Sequence, residues 1–308
     1  MKQRIISGVV MGAIVALVLI LGLNIDGIII TIFLAAIAAI ATWELTFNAL
    51  GIKWLPFQII PMVYTAGSVW IISSWLSDTM VEIFRIRAYM ENDSIESIEM
   101  NTVWDPFKEY APVILMVVTA VYFITMAILS LVKQAELDLT KIFSLCAMPL
   151  FISFAFATLG SVITIQDFYN TAQNGIYYLL LILNFSSVCD MGAYFVGVSL
   201  GKTKLCPQIS PKKTVEGALG GMVSSAIVGL VITLCFGLYD KILPVLLLTI
   251  PFCVAGMAGD LFASIIKRKV GIKDYGNLIP GHGGVLDRVD SILFIAPLVF
   301  SAIFIGIL

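Results

Sequence analysis

Charge is what this sequence has least of. Asp, Glu, Lys and Arg make up only 12% of its 308 residues, against roughly 25% in a soluble domain. Histidine occurs once, as His282. The five cysteines (Cys146, Cys189, Cys206, Cys235, Cys253) are scattered, and none forms a CxxC pair. A Cys/His zinc site is therefore not expected. The cysteines read as small apolar packing residues. No internal repeat or low-complexity tract occurs, and no nucleic-acid partner is expected; the net charge of −2 by itself says little.

Apolar residues fill the space that charge leaves. They make up 60% of the chain, and the mean hydropathy is +1.02. A helix needs about 20 apolar residues to cross the hydrocarbon core. Nine such runs fall near 5–23, 25–47, 55–76, 111–132, 142–164, 176–200, 215–238, 242–266 and 288–307. The second and sixth carry polar interruptions. A membrane barrel would show short alternating segments instead. The expected fold is all-α, a polytopic transmembrane bundle of about nine spans. Residues 1–23 also fit the n-region and h-region of a signal peptide. No convincing small-x-small cleavage site follows, and the next span begins at once, so a retained first helix is the reading carried forward.

Lys and Arg mark the cytoplasmic side of a membrane protein. With nine spans and a cytoplasmic N-terminus, fourteen of the eighteen fall inside and only Arg85, Arg87, Lys108 and Lys241 outside. This orientation puts loops 201–213 and 267–288 in the cytoplasm, where nucleotides are. Segment 77–110 lies outside and holds eight acids against three bases. It reads as a solvated loop or a short amphipathic helix. Residues 1–140 look like a transmembrane scaffold, and 141–308 like the catalytic domain.

Three stretches carry the polar chemistry. In the first, 184–197, Ser186, Asp190, Tyr194 and Gly197 share one face if the helix is regular. An ionisable residue in a span faces a cavity or a partner. Asp190 is read either as functional or as a structural hydrogen-bonding group, with Gly192 and Gly197 permitting close packing. The second, 202–217, contains Ser210-Pro211-Lys212-Lys213. Ser210 reads as an N-cap followed by proline at the first helical position, and a helix start with two lysines attracts anions. The alternative is a positive-inside anchor whose lysines snorkel. In the third, 259–290, Asp260, Ser264, Lys267 and Arg268 share a face at i, i+4, i+7 and i+8. Asp287 and Asp290 share another at i, i+3. Carboxylates on two helices can converge on Mg²⁺, which takes carboxylates, water and substrate phosphates. The Lys and Arg residues would hold the phosphates. Gly281, Gly283 and Gly284 allow the backbone to approach a ligand closely. His282 is either a loop residue or a participant. The residues alone point to a membrane-embedded, Mg²⁺-dependent enzyme that handles phosphates at the cytoplasmic face. They do not name the substrate.

The third stretch resembles the signature of the phosphatidate cytidylyltransferases, or CDP-diacylglycerol synthases: S-x-x-K-R-x4-K-D-x-G-x2-x-P-G-H-G-G-x-x-D-R-x-D. Ser264, Lys267, Arg268, Lys273, Asp274, Gly276, Pro280, Gly281, His282, Gly283, Gly284, Asp287, Arg288 and Asp290 fill it without a gap. The second stretch resembles the family's K-L-x-P-x-I-S-P-K-K-T-x-E-G, and the first its D-x-G-A-Y-x-x-G. The motifs span residues 184–292; the N-terminal half matches only in being several hydrophobic spans.

The resemblance implies transfer of CMP from CTP to phosphatidate, giving CDP-diacylglycerol and pyrophosphate. It implies a homodimer in the cell membrane, with a polar cavity in the C-terminal half open to the cytoplasm and the bilayer. It implies Asp260, Asp287 and Asp290 as metal-linked carboxylates, with Ser264 and Lys267 beside them in the catalytic set. The metal centre of relatives pairs Mg²⁺ with K⁺. Substrate contacts are expected from Asp190, Ser210, Lys212, Lys213, Arg268, Lys273, His282, Gly283, Gly284 and Arg288. The other readings are a CTP-dependent polyprenol or phytol kinase, a CDP-archaeol-type synthase, and a non-enzymatic secondary transporter, since broken polar helices also build transport sites.

Overall fold

The computed structural model describes residues 2–91, 106–132, 138–165, 173–281 and 283–308. His282 lies outside the described residues, as does part of the acidic segment 77–110. The helices are α1 (Lys2–Asn24), α2 (Ile28–Trp43), α3 (Pro56–Glu91), α4 (Pro106–Val132), α5 (Leu139–Thr164), α6 (Gln173–Leu183), α7 (Cys189–Leu200), α8 (Val215–Cys235), α9 (Ile242–Lys269) and α10 (Leu286–Phe304). One short antiparallel hairpin, β1 (Lys204–Cys206) and β2 (Ser210–Thr214), joins α7 to α8, with Lys204 opposite Thr214 and Cys206 opposite Ser210.

Among the described residues, eight helical segments are long and apolar enough to cross a bilayer. The ninth expected span corresponds to α10, whose first two turns carry Asp287, Arg288 and Asp290. The protein is an all-α, multi-pass membrane bundle. Exposed Val113, Met116, Val117, Ile124 and Ile128 line α4, and exposed Leu219, Val223, Ile227 and Val231 line α8. In lipid such surfaces carry no hydrophobic penalty.

Three sequence-based boundaries need correction. First, α3 does not stop near residue 76 but continues to Glu91, because propagating a helix adds one hydrogen bond per residue even where the side chains turn polar. Second, the polar interruptions of the second and sixth runs are π-helical turns, Glu44–Ala49 and Asn184–Val188. The i→i+5 bonding of such turns locally breaks the 3.6-residue register. Third, Ser210 and Pro211 do not start a helix; they belong to β2. Proline fits this short two-stranded ribbon because an edge strand can spare an N–H. The N-cap is Thr214, whose Oγ1 accepts a hydrogen bond from Gly217 N at 3.1 Å.

The larger buried cluster unites α2, α3, α5, α6, α9 and α10 and includes Leu308. Hydroxyl pairs join its scaffold helices: Thr42 to Thr65 at 3.0 Å between α2 and α3, and Ser77 to Thr164 at 3.1 Å between α3 and α5. A smaller cluster is built on Phe57, Tyr64, Tyr122, Met126 and Leu145. Helices α7 and α8 pack backbone to backbone. A Cβ on Gly217 would lie 2.7 Å from Ala193 O, and one on Gly221 2.5 Å from Cys189 O. Small residues allow such contact between membrane helices.

Candidate active site

The α7–α8 contact and the hairpin shape a cavity of about 560 Å³. Asp190, Tyr194 and Gly197 line it from α7, Lys212 and Lys213 from β2, and Asp260 from α9. Lys213 forms an ion pair with Asp260. The three polar stretches of the sequence therefore meet in one place. Ser186 does not join them: the π-turn rotates it away, and it is buried at 8% exposure.

The hairpin presents its lysines on a fixed frame. Lys202 N and Thr203 N both donate to the Glu216 carboxylate at 3.1 Å, and Val215 N bonds Thr203 O at 2.9 Å. The helix start lies at Val215, so Lys212 and Lys213 precede it on a strand. Ser210 sits on the same strand, half-buried, outside the cavity lining.

Asp260 lies at the contact of α9 with α10. A Cβ on the preceding Gly259 would fall 2.7 Å from Asp290 O, so the glycine permits the approach. Asp260 and Asp190 line the same cavity. Ser291 N donates to Asp290 Oδ1 at 2.8 Å. Ser264 follows Asp260 by one turn of α9, half-buried.

Asp287 is engaged on both oxygens. Lys267 Nζ donates to Oδ1 at 2.8 Å, while Tyr275 N and Gly284 N donate to Oδ2 at 2.7 and 3.1 Å. The Lys267 and Asp287 side chains are 13% and 6% exposed, so this is a shielded pair. Lys267 Nζ also stands 5.3 Å from the centroid of the Tyr275 ring. Burial pushes the Tyr275 hydroxyl well above its ordinary range, and Asp287 and Asp290 add to the effect. It stays protonated and donates to Ala263 O at 3.2 Å.

Arg268, Lys273 and Arg288 are exposed and do not line the cavity. Gly283 takes φ +84°, and a Cβ there would lie 3.2 Å from Asp287 Oδ2. A Cβ on Gly284 would meet Glu44 Oε2 at 2.5 Å. The glycine loop is thus pressed against protein carboxylates.

Glu44 is the residue that the motifs did not reveal. It belongs to the N-terminal half and is 0% exposed. Val285 N and Leu286 N donate to its two oxygens at 3.0 and 2.9 Å. One turn on, Asn48 Nδ2 donates to Tyr275 O at 2.6 Å. The available signal was a lone carboxylate inside an apolar run, which marks a functional position by default.

Among the described residues, no group of three or more His, Cys, Asp and Glu side chains is clustered closely enough to hold one metal ion by itself. The donor set is the carboxylates Asp260 and Asp290 at the contact of α9 with α10, with Lys213 paired to Asp260. That set suits a hard cation that keeps water and takes its other ligands from substrate phosphates.

The fold and this site define a membrane-embedded family with phosphate-handling chemistry. Residues 2–306 match the Cytidylyltransferase family, and the chain belongs to it. Similar proteins include the phosphatidate cytidylyltransferase of Bacillus subtilis (strain 168), 32% identical over 97% of this chain and 96% of that protein. The phosphatidate cytidylyltransferases of Staphylococcus epidermidis (strain ATCC 12228 / FDA PCI 1200) and Staphylococcus aureus (strain COL) are 45% and 42% identical. Each match covers 42% of this chain and 50% of the relative.

Proposed function

We infer that this protein transfers CMP from CTP to phosphatidate, releasing pyrophosphate and forming CDP-diacylglycerol. The observation that carries the reading is the convergence of Asp190, Lys213 and Asp260 on one cavity, in a member of the cytidylyltransferase family.

The chemistry follows from charge. A phosphate oxygen of phosphatidate attacks the α-phosphorus of CTP, and the bond from that phosphorus to the α,β-bridging oxygen breaks. Phosphatidate brings its own anionic nucleophile, so no protein nucleophile or strong base is required. The barrier lies in bringing two polyanions together and in stabilising the departing pyrophosphate. Positioned cations and carboxylate-bound metal lower it by orientation and electrostatics. Mg²⁺, when bound, neutralises phosphate charge. Asp260, Asp287 and Asp290 would hold it. A K⁺ ion beside Mg²⁺ belongs to the same proposal.

Lys213 and Lys267 rest on Asp260 and Asp287. Exchange of these partners for substrate phosphates is the role assigned to them, with Lys212 at the cavity wall. The acyl chains remain in lipid while the head group enters beside exposed Tyr194 and Val198. The enzyme works as a homodimer in the cell membrane, with its cavity on the cytoplasmic side. The bias of Lys and Arg towards loops 201–213 and 267–288 supports that orientation.

The test is purified protein in detergent with CTP, Mg²⁺ and, in separate reactions, phosphatidate or a polyprenol. CDP-diacylglycerol with equimolar pyrophosphate is expected. CDP with a phosphorylated lipid alcohol as acceptor product would replace the reading with a CTP-dependent lipid kinase. Substrate binding without CTP consumption would replace it with transport.

A further inference from the structure

The amino end of α10 is an anion site that is already filled. Its first backbone N–H groups have no partner within the helix, and Val285 at the N-cap offers no side-chain cap. Successive N–H groups of this kind form a concavity that attracts anions. Here the anions are two carboxylates. Gly284 N goes to Asp287, three residues on, and Val285 N and Leu286 N go to Glu44, more than 240 residues away in sequence. The space that a Cβ would need at Gly276 and Gly284 is taken by the same Glu44 carboxylate, at 2.5 Å in both cases. These glycines thus admit a protein carboxylate, where a sequence reading would give the space to a substrate phosphate.

The placement of Glu44 is specific. It opens the π-helical turn Glu44–Ala49, and Asn48, four residues on, holds the other side of the loop through Tyr275 O at 2.6 Å. Tyr275 N in turn holds Asp287 at 2.7 Å. A buried carboxylate is costly unless hydrogen bonds satisfy it; charge-assisted bonds from backbone N–H groups at a helix start are among the stronger ones. The scaffold half therefore clamps both ends of the loop, at 275 and at 285–286, beside the Tyr275 and Gly284 N–H groups that hold Asp287.

We propose that Glu44 is a positioning residue for the transfer reaction: from the N-terminal half it occupies the anion site of the glycine loop, and so sets where Asp287 and Asp290 stand. Substrate phosphates are then bound by lysines and metal, and the amides of 284–286 are not available to them. The proposal rests on the reading that these aspartates serve CMP transfer.

The experiment compares wild type with Glu44→Gln, Glu44→Asp and Leu34→Ala in detergent. Gln keeps the size of Glu but offers one acceptor to two N–H donors. Asp keeps the charge but is shorter by one methylene. Leu34→Ala opens the same helix, α2, in the core without touching the loop. Three quantities are read: turnover per folded enzyme, the Mg²⁺ concentration for half-maximal rate, and hydrogen exchange at residues 283–287. Glu44→Gln is expected to lower kcat at least tenfold, to raise the Mg²⁺ requirement severalfold, and to speed exchange at Val285 and Leu286. Glu44→Asp is expected to recover part of each. Leu34→Ala is expected to lower the unfolding temperature alone. If Glu44→Gln changes only the unfolding temperature, with Mg²⁺ dependence and exchange as in wild type, Glu44 is structural and the proposal fails. Should wild type make no CDP-diacylglycerol, the functional reading fails separately. Exchange then decides the clamp: unchanged rates at 285–286 in Glu44→Gln would overturn it, and faster rates would uphold it.

Discussion

Removing Lys267 and removing the charge of Asp287 are expected to harm stability singly and much less together. The pair is 2.8 Å apart and nearly buried, at 13% and 6% exposure. Breaking a buried ion pair from one side costs about 3–5 kcal/mol, because the partner is left uncompensated. Lys267→Met leaves Asp287 with two backbone N–H bonds, at 2.7 and 3.1 Å, which offset part of that loss; about 2–4 kcal/mol remains. Asp287→Asn keeps Tyr275 N and Gly284 N satisfied by its one oxygen but turns an NH₂ towards the Lys267 ammonium, a donor facing a donor. In Lys267→Met with Asp287→Asn the NH₂ meets an apolar chain and no charge is stranded. Replacing a whole buried pair by uncharged groups is often close to neutral, so a coupling of about 2 kcal/mol or more is expected from the double-mutant cycle. Unfolding in detergent, followed by tryptophan fluorescence, measures the cycle, and Lys269→Met on the exposed end of α9 serves as the neutral control. Turnover must separate from stability: the double variant should regain its fold and remain inactive. Strict additivity of the two losses would refute the stranded-charge argument. Recovery of activity along with the fold would remove Lys267 and Asp287 from the reaction.

Two further outcomes follow from the proposed site. Asp260→Asn and Asp290→Asn should each abolish CDP-diacylglycerol formation without preventing insertion, and near-normal rates at saturating Mg²⁺ in either variant would dismiss these carboxylates as metal ligands. In a background lacking the five native cysteines, a cysteine at Asp240 should react with an impermeant thiol reagent on intact cells and one at Asn277 should not. The reverse pattern would separate the catalytic loop from cytoplasmic CTP and undo the enzymatic reading.

The sequence alone determined the class of fold, because an apolar run long enough to cross a bilayer has one regular backbone solution, the helix. It also marked which stretches carry polar chemistry, because charge is scarce in this chain; that Asp190, Lys213 and Asp260 line one cavity is seen only in the tertiary structure. Local geometry was legible only in part. The i, i+3 placement of Asp287 and Asp290 held because α10 is regular there. The face through Ser186 did not, because a π-turn is stabilised by tertiary packing and leaves no periodicity to read. Ser210 and Pro211 suited a helix start equally well, and the strand prevailed once Thr214 capped α8 and Glu216 tied down Lys202 and Thr203. The partners of the glycine loop were decided by the tertiary structure alone. Nothing in the spacing of Gly276, Gly283 and Gly284 says whether a ligand or a side chain fills the room they leave. Glu44 fills it at Gly276 and Gly284, while Asp287 and Asp274 lie against Gly283; Glu44 reaches Val285 across 241 residues of sequence, and a contact of that separation exists only after α2 has packed against the start of α10.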